Sequence, residues 1–333
     1  MIGVMKSPFT GKDMTLVYDR RTWSFRGEQY EYTHAAWLCA DTGETFATDE
    51  MDDAGYVQVT NQYRAKYGIP FTDEIISVRE KYGLSAAKMS QILGFGVNQW
   101  RTYEAGEVPS VSNGRMIRSI IDPKVFLSYV SCARYVLGEK EHGKLSAKIS
   151  QMVDHDDRLD VSVYDHMRVF LVDRGLDNGF AQQSLGRLKN VLLYILERCG
   201  EVFCTKMNKL LFYVDFLAYR SYGAAVSGLS YRALPYGPVP ERWDRVYSCF
   251  DEIVQEPRCY GDKEGSVLTS VVPADTSLFT AAELRVLDEV CARFGRSTSG
   301  DLTAISHQES AWNDYKDGGN RIPFDSAFDL KGI

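Results

Sequence analysis

Three clusters in this chain carry side chains able to do chemistry. Asp215, Tyr236, His307, Glu309 and Trp312 supply an imidazole, two carboxylates and a rigid turn, the ingredients of acid–base work. No nucleophile elbow, phosphate loop or metal-ligand pair accompanies them, so structural or partner-binding roles outweigh catalysis and no catalytic residue is assigned. His307 is expected at a helix start or as a hydrogen-bonding core residue. H-D-D at 155–157 lacks a second His cluster at metal-ligand spacing and reads as solvated loop. Asn98, Gln99, Arg101 and Thr102 form the third cluster. Asn and Gln pair bidentately with adenine and Arg with guanine, so this group points to base readout.

The elements that must position those four side chains are legible around them. L-S-A-A-K-M-S-Q-I-L-G at 84–94 and G-V-N-Q-W-R-T-Y-E-A-G at 96–106 spell a helix-turn-helix whose second helix enters DNA. Leu84, Met89, Ile92 and Leu93 before the turn, and Val97, Trp100 and Tyr103 after it, give each helix a face to bury. Ser85 is placed to cap the second helix, Thr72–Lys81 forms the first, and Gly94 and Gly96 bracket the break. Residues 72–121 hold six Lys or Arg against five Asp or Glu, whereas the whole chain carries a net charge of -7. Phosphate attraction is therefore modest, and a homodimer on a palindromic double-stranded operator is the expected binding form.

Length and composition bound the rest. A chain of 333 residues builds two or three domains. No apolar run reaches the roughly twenty residues that cross a bilayer, and the first residues lack a secretory plan, so no membrane partner and a cytoplasmic setting are expected. Seven scattered cysteines, none in a C-x-x-C pair, predict buried thiols rather than disulfides or zinc knuckles. No cofactor is expected.

Residues 5–48 alternate aromatic, β-branched and polar positions, which predicts short antiparallel strands. Within them K-S-P-F-T-G at 6–11 and L-C-A-D-T-G-E at 38–44 resemble the two zinc knuckles of MqsA-type antitoxins. Ser7, Thr10, Cys39 and Thr42 stand at the four ligand places, and hydroxyls do not replace thiolates for zinc. The expectation is a metal-free ribbon over 1–62, held by Tyr18, Trp23, Phe25, Tyr30, Tyr32, Trp37 and Phe46, with no metal role for Cys39 or His34. The resemblance continues through an Xre-type helix-turn-helix domain at 66–137. It implies a DNA-contacting role for Asn98, while Thr102 stands where that family has arginine. Val125, Phe126, Tyr129, Val130, Ala133, Val136 and Leu137 line one side of a helix that serves either as a dimer seam or as intrachain packing.

A polar linker is read at 138–185, and a mainly helical domain with a few short strands follows at 186–333, its first two helices ending at Gly200 and Gly223. K-L-L-F-Y-V-D-F at 209–216, G-L-S-Y-R-A-L-P-Y-G-P-V-P at 228–240, S-H-Q-E-x-x-W at 306–312 and a later G-x-x-I-P-F resemble the Panacea, or SocA-like, domain of bacterial and phage antitoxins. The resemblance implies a non-enzymatic antitoxin that binds a cognate toxin and autoregulates its operon. Tyr231, Tyr236, Trp243 and Trp312 are the expected toxin contacts, because aromatic anchors dominate interfaces. The alternative is a stand-alone, phage-derived transcription regulator whose C-terminal domain binds another cellular protein, and an enzyme built on His307 ranks last. The fold class is α+β, mostly α: a β-ribbon unit, a helix-turn-helix bundle and the helical C-terminal domain.

Overall fold

The computed structural model describes residues 5–156, 173–260 and 263–333, which form a mostly helical α+β chain with small antiparallel sheets. Two compact units are present, one built from Met1–Val59 with Asp165–Ile333 and the other from Thr60–Tyr164.

In the first unit, β1 (Thr15–Phe25) and β2 (Glu28–Leu38) make one long hairpin rather than several short strands, with β3 (Thr45–Phe46) beside β2. Arg26 and Gly27 form its two-residue turn, both at positive φ, the geometry whose twist matches the flanking strands. The expected aromatic packing is present, and it reaches beyond the hairpin. Trp23 lies 5.7 Å from Tyr32 and 5.9 Å from Tyr56 of α1 (Asp49–Tyr67), and Tyr18 lies 5.6 Å from Phe328. Residues 1–59 and the C-terminal segment thus share one packed unit, although the sequence sets them apart.

The rest of this unit surrounds two helices, α9 (Leu185–Cys199) and α10 (Cys204–Tyr222), which end at Gly200 and Gly223. α10 is enclosed over nearly its whole length, from Lys206 to Arg220. Around it lie a three-stranded sheet of β4 (Val202–Phe203), β8 (Lys263–Thr269) and β7 (Val254–Tyr260), and a second of β6 (Gly237–Pro240), β5 (Tyr231–Leu234) and β9 (Arg321–Ile322). α11 (Trp243–Val246), α12 (Ala281–Phe294), α13 (Ser299–Ser306) and α14 (Ser310–Asn313) complete it.

The second unit stacks α2 (Thr72–Tyr82), α3 (Ala86–Leu93), α4 (Gln99–Glu104), α5 (Val111–Ser119), α6 (Pro123–Cys132), α7 (Arg134–Leu137) and α8 (Glu139–Asp156) around one core. Ser85 caps α3 by accepting from the Lys88 N–H at 3.2 Å, and Gly94 ends it at φ 69°. Trp100 is fully buried, with Nε1 donating to Glu104 at 2.8 Å, and Glu104 also accepts from Arg79 at 2.5 Å.

Several expectations change or are narrowed here. Val97 does not join the core: it lies in the turn ahead of α4 and is 80% exposed. The segment read as the start of a linker is helix α8, whose Leu145 and Ile149 complete the core and whose Lys148 donates to the Tyr82 carbonyl at 2.7 Å. Phe126, Val130, Ala133 and Leu137 are buried in that same core, so the apolar side of α6 and α7 is covered by its own chain rather than offered to a second copy; Val136 stays outside. Of H-D-D at 155–157, His155 and Asp156 end α8 and Asp157 lies outside the described residues. The cysteines are free thiols, of which only Cys39 and Cys204 are buried and Cys132, Cys249 and Cys259 are exposed. Among the described residues no helix is long and apolar enough to cross a membrane.

Candidate functional site

The motifs of the C-terminal half converge on α10. Gly237, opening β6 after the Pro235–Tyr236 turn, stands at φ 107°, and a Cβ there would lie 2.7 Å from Ser306 Oγ, 3.1 Å from Lys209 Cε and 3.4 Å from Lys209 Nζ. Only a residue without a side chain allows this approach. Trp312 Nε1 donates to the Leu234 carbonyl at 2.8 Å, tying α14 to the end of β5. Ile322 pairs with Tyr231, and Phe324 stacks on Phe216 with centroids 4.5 Å apart, which ties the late G-x-x-I-P-F to the same core.

Both carboxylates of the cluster are spoken for. Asp215 is fully buried and accepts from the N–H groups of Val226 and Ser227, at 2.9 and 2.8 Å, from the Ser227 hydroxyl, and from Tyr231 at 2.5 Å. Burial raises its pKa, and these donors oppose the rise. Glu309, also buried, accepts from Tyr213 at 3.0 Å and from the N–H groups of Lys331 and Gly332 at 2.8 and 2.9 Å, fixing the last residues of the chain. Each anchors backbone far away in sequence. Neither is open to a substrate.

His307 follows the last turn of α13, at a helix end rather than a start. Its ring stacks on Trp312, with centroids 3.8 Å apart and planes 9° from parallel. Nε2 is buried without a hydrogen-bond partner, and the pKa is lowered by burial first and then by Lys209 and Lys316. Lys209 opens K-L-L-F-Y-V-D-F, yet spacing gives no role for it. It is wholly buried, burial lowers its pKa to about 8, and its one hydrogen bond among the described residues runs 3.3 Å to Thr205 O of its own helix. The signal was a lysine in the middle of an apolar helix.

The four aromatic residues expected to contact a toxin separate. Tyr236 is 75% exposed on its turn, and Trp243 and Trp312 are partly exposed. Tyr231 is fully buried and bonded to Asp215, so it is withdrawn as a contact residue.

On α4, Asn98 and Arg101 face solvent at and after the helix start. Gln99 and Thr102 are half-buried and bonded to each other, Gln99 Nε2 to Thr102 Oγ1 at 3.1 Å and the Thr102 hydroxyl back to Gln99 O at 2.9 Å, which leaves Asn98 and Arg101 the better presented pair. Arg115 and Arg118 on α5 are also exposed.

The four knuckle positions do meet. Cys39 Sγ lies 3.2 Å from Ser7 Oγ and 3.9 Å from Thr10 Oγ1, and the pKa of its thiol is lowered to about 6, because its ionised form can accept from the Ser7 hydroxyl first and then from the side chain and backbone of Thr42. His34 is engaged with Asp52 at 2.9 Å. Among the described residues no group of three or more His, Cys, Asp or Glu is placed to hold a metal.

Residues 207–313 match the family described as Antitoxin SocA-like, Panacea domain. No curated protein and no solved structure matches the chain.

Proposed function

We propose that this protein is the antitoxin of a type II toxin–antitoxin pair, acting in the cytoplasm by stoichiometric binding and without turnover. The SocA-like, Panacea match over residues 207–313 carries the reading. In support, the motif carboxylates Asp215 and Glu309 hold the fold together, as suits a binding module better than an acid–base site. Neutralisation rests on the surface around Tyr236, Trp243 and Trp312. Repression rests on the second unit, read as a helix-turn-helix that presents Asn98 and Arg101 to operator DNA, two copies acting on one palindromic site.

Inducing the reading frame next to this gene tests the proposal. Growth arrest that full-length protein relieves is the expected result. Absence of toxicity, or failure to relieve it, favours the transcription-regulator alternative, which the exposed Asn98, Arg101 and Arg115 also fit.

A further inference from the structure

Two poorly satisfied polar groups of the C-terminal half, Lys209 and His307, are near enough for the charge of the first to act on the second. Lys209 Nζ is wholly buried, has no carboxylate beside it among the described residues, and makes one long hydrogen bond to Thr205 O. His307 Nε2 is buried and unpartnered, on a ring held flat against Trp312. Lys316 Nζ lies 4.8 Å from the centre of the Trp312 ring and adds a second positive charge. The nearby acid, Glu309, is committed to Tyr213 and to two backbone N–H groups, and Ser306 spends its hydroxyl hydrogen on Thr303 O at 3.0 Å. A buried ammonium with a single long hydrogen bond and a buried ring nitrogen with none are costly to keep, and one anionic acceptor would satisfy both.

We propose that Lys209 and His307 form a carboxylate-binding site, roofed by the bare backbone of Gly237 and rimmed by Tyr236 and Trp312. Only the bare backbone of Gly237 lies between the ammonium and the turn at which Tyr236 is largely exposed, so the ligand's approach is along that turn, which must give way to admit it. One ammonium and one imidazole match the single charge of a carboxylate, from an acidic side chain or chain terminus of a partner protein or from a small acid. The inference goes beyond the antitoxin reading and stands whether or not a toxin is found.

The test follows the His307 ring resonances of the full-length protein by NMR, identified with His307→Gln, while acetate, a capped peptide containing one Glu, or inorganic phosphate is added at constant ionic strength. The expected result is a saturable shift with acetate or peptide that Lys209→Met, similar in length but uncharged, weakens at least tenfold. Tighter binding of the peptide assigns the carboxylate to a protein, and tighter binding of acetate to a small acid. No saturation with either carboxylate, or saturation with phosphate alone, overturns the proposal. Should Lys209→Met fail to fold, saturation or its absence in the unaltered protein still decides.

Discussion

Tyr231 donates its hydroxyl hydrogen to Asp215 Oδ2 across 2.5 Å, and neither side chain meets solvent. That bond joins β5 to the buried helix α10, while the other oxygen of the same carboxylate holds the backbone at Val226 and Ser227. Replacing Asp215 with Ala strands several buried donors, each worth about 1–3 kcal/mol, so the variant should lose about 4 kcal/mol of stability or more. Asp215→Asn keeps an acceptor and should lose less. Urea unfolding monitored by circular dichroism measures both, and equal stability of Asp215→Ala and the parent would contradict the assigned role.

The two tyrosines of the same hairpin should behave oppositely. Tyr231→Ala empties the core and should lower the thermal midpoint by many degrees, because burying a large aromatic side chain contributes about 3–5 kcal/mol. Tyr236→Ala removes a mostly exposed side chain and should leave the midpoint nearly unchanged while weakening toxin capture. Pull-down beside thermal unfolding separates the two effects.

Lys209 gives a pH signature. Its folded-state pKa, about 8, lies below the ordinary lysine value of 10.5, so between those two pH values the unfolded chain holds the extra proton and stability rises with pH. The full gain is about 3 kcal/mol, complete above pH 10.5 and absent below pH 8. Lys209→Met should be more stable than the parent at neutral pH, and the difference should shrink as pH is raised to 10. Parallel denaturation series at several pH values check the sign, and a constant difference would refute it.

Metal analysis of the purified protein should find far less than one zinc per chain. Cys39 Sγ already lies 3.2 Å from Ser7 Oγ and 3.9 Å from Thr10 Oγ1, near the separation of about 3.8 Å that a tetrahedral site with Zn–S of about 2.3 Å imposes. The triple change Ser7→Cys, Thr10→Cys and Thr42→Cys should therefore bind one zinc per chain and raise the midpoint of the β unit. A triple variant that takes up no zinc would show that the backbone of the two turns has moved.

Operator binding should depend on Asn98 and Arg101 more than on Gln99 and Thr102, which bond to each other. Alanine at either of the first two should weaken specific binding by about 1–3 kcal/mol, roughly ten- to a hundredfold. Arg115→Ala should weaken binding to all sequences alike and reduce the salt dependence. Fluorescence anisotropy at several salt concentrations distinguishes these behaviours.

The features legible in the residues alone are those that short-range physics controls. The helices at 86–93 and 99–104, the Ser85 cap and the left-handed Gly94 end all follow from neighbours within one or two turns. So does the hairpin character of residues 15–38, although not its length, since alternation marks strands without saying where one stops. Ordered motifs likewise located the Panacea-like half without geometry.

Tertiary structure alone decided which face each side chain turned to. Val97 falls outside the core because the turn ahead of α4 points it to solvent, and Tyr231 falls inside because Asp215 and Phe324 close over it. α8 belongs to the second unit because Leu145 and Ile149 share the core that Phe126 and Val130 of α6 enter, and because Lys148 reaches the Tyr82 carbonyl 66 residues earlier. Lys209 stands out only once β6 and α13 are packed against α10, for a lysine beside an apolar run gives no sign of whether an acceptor will meet it. Burial and partnership are set by residues distant in sequence, and periodicity carries no record of them.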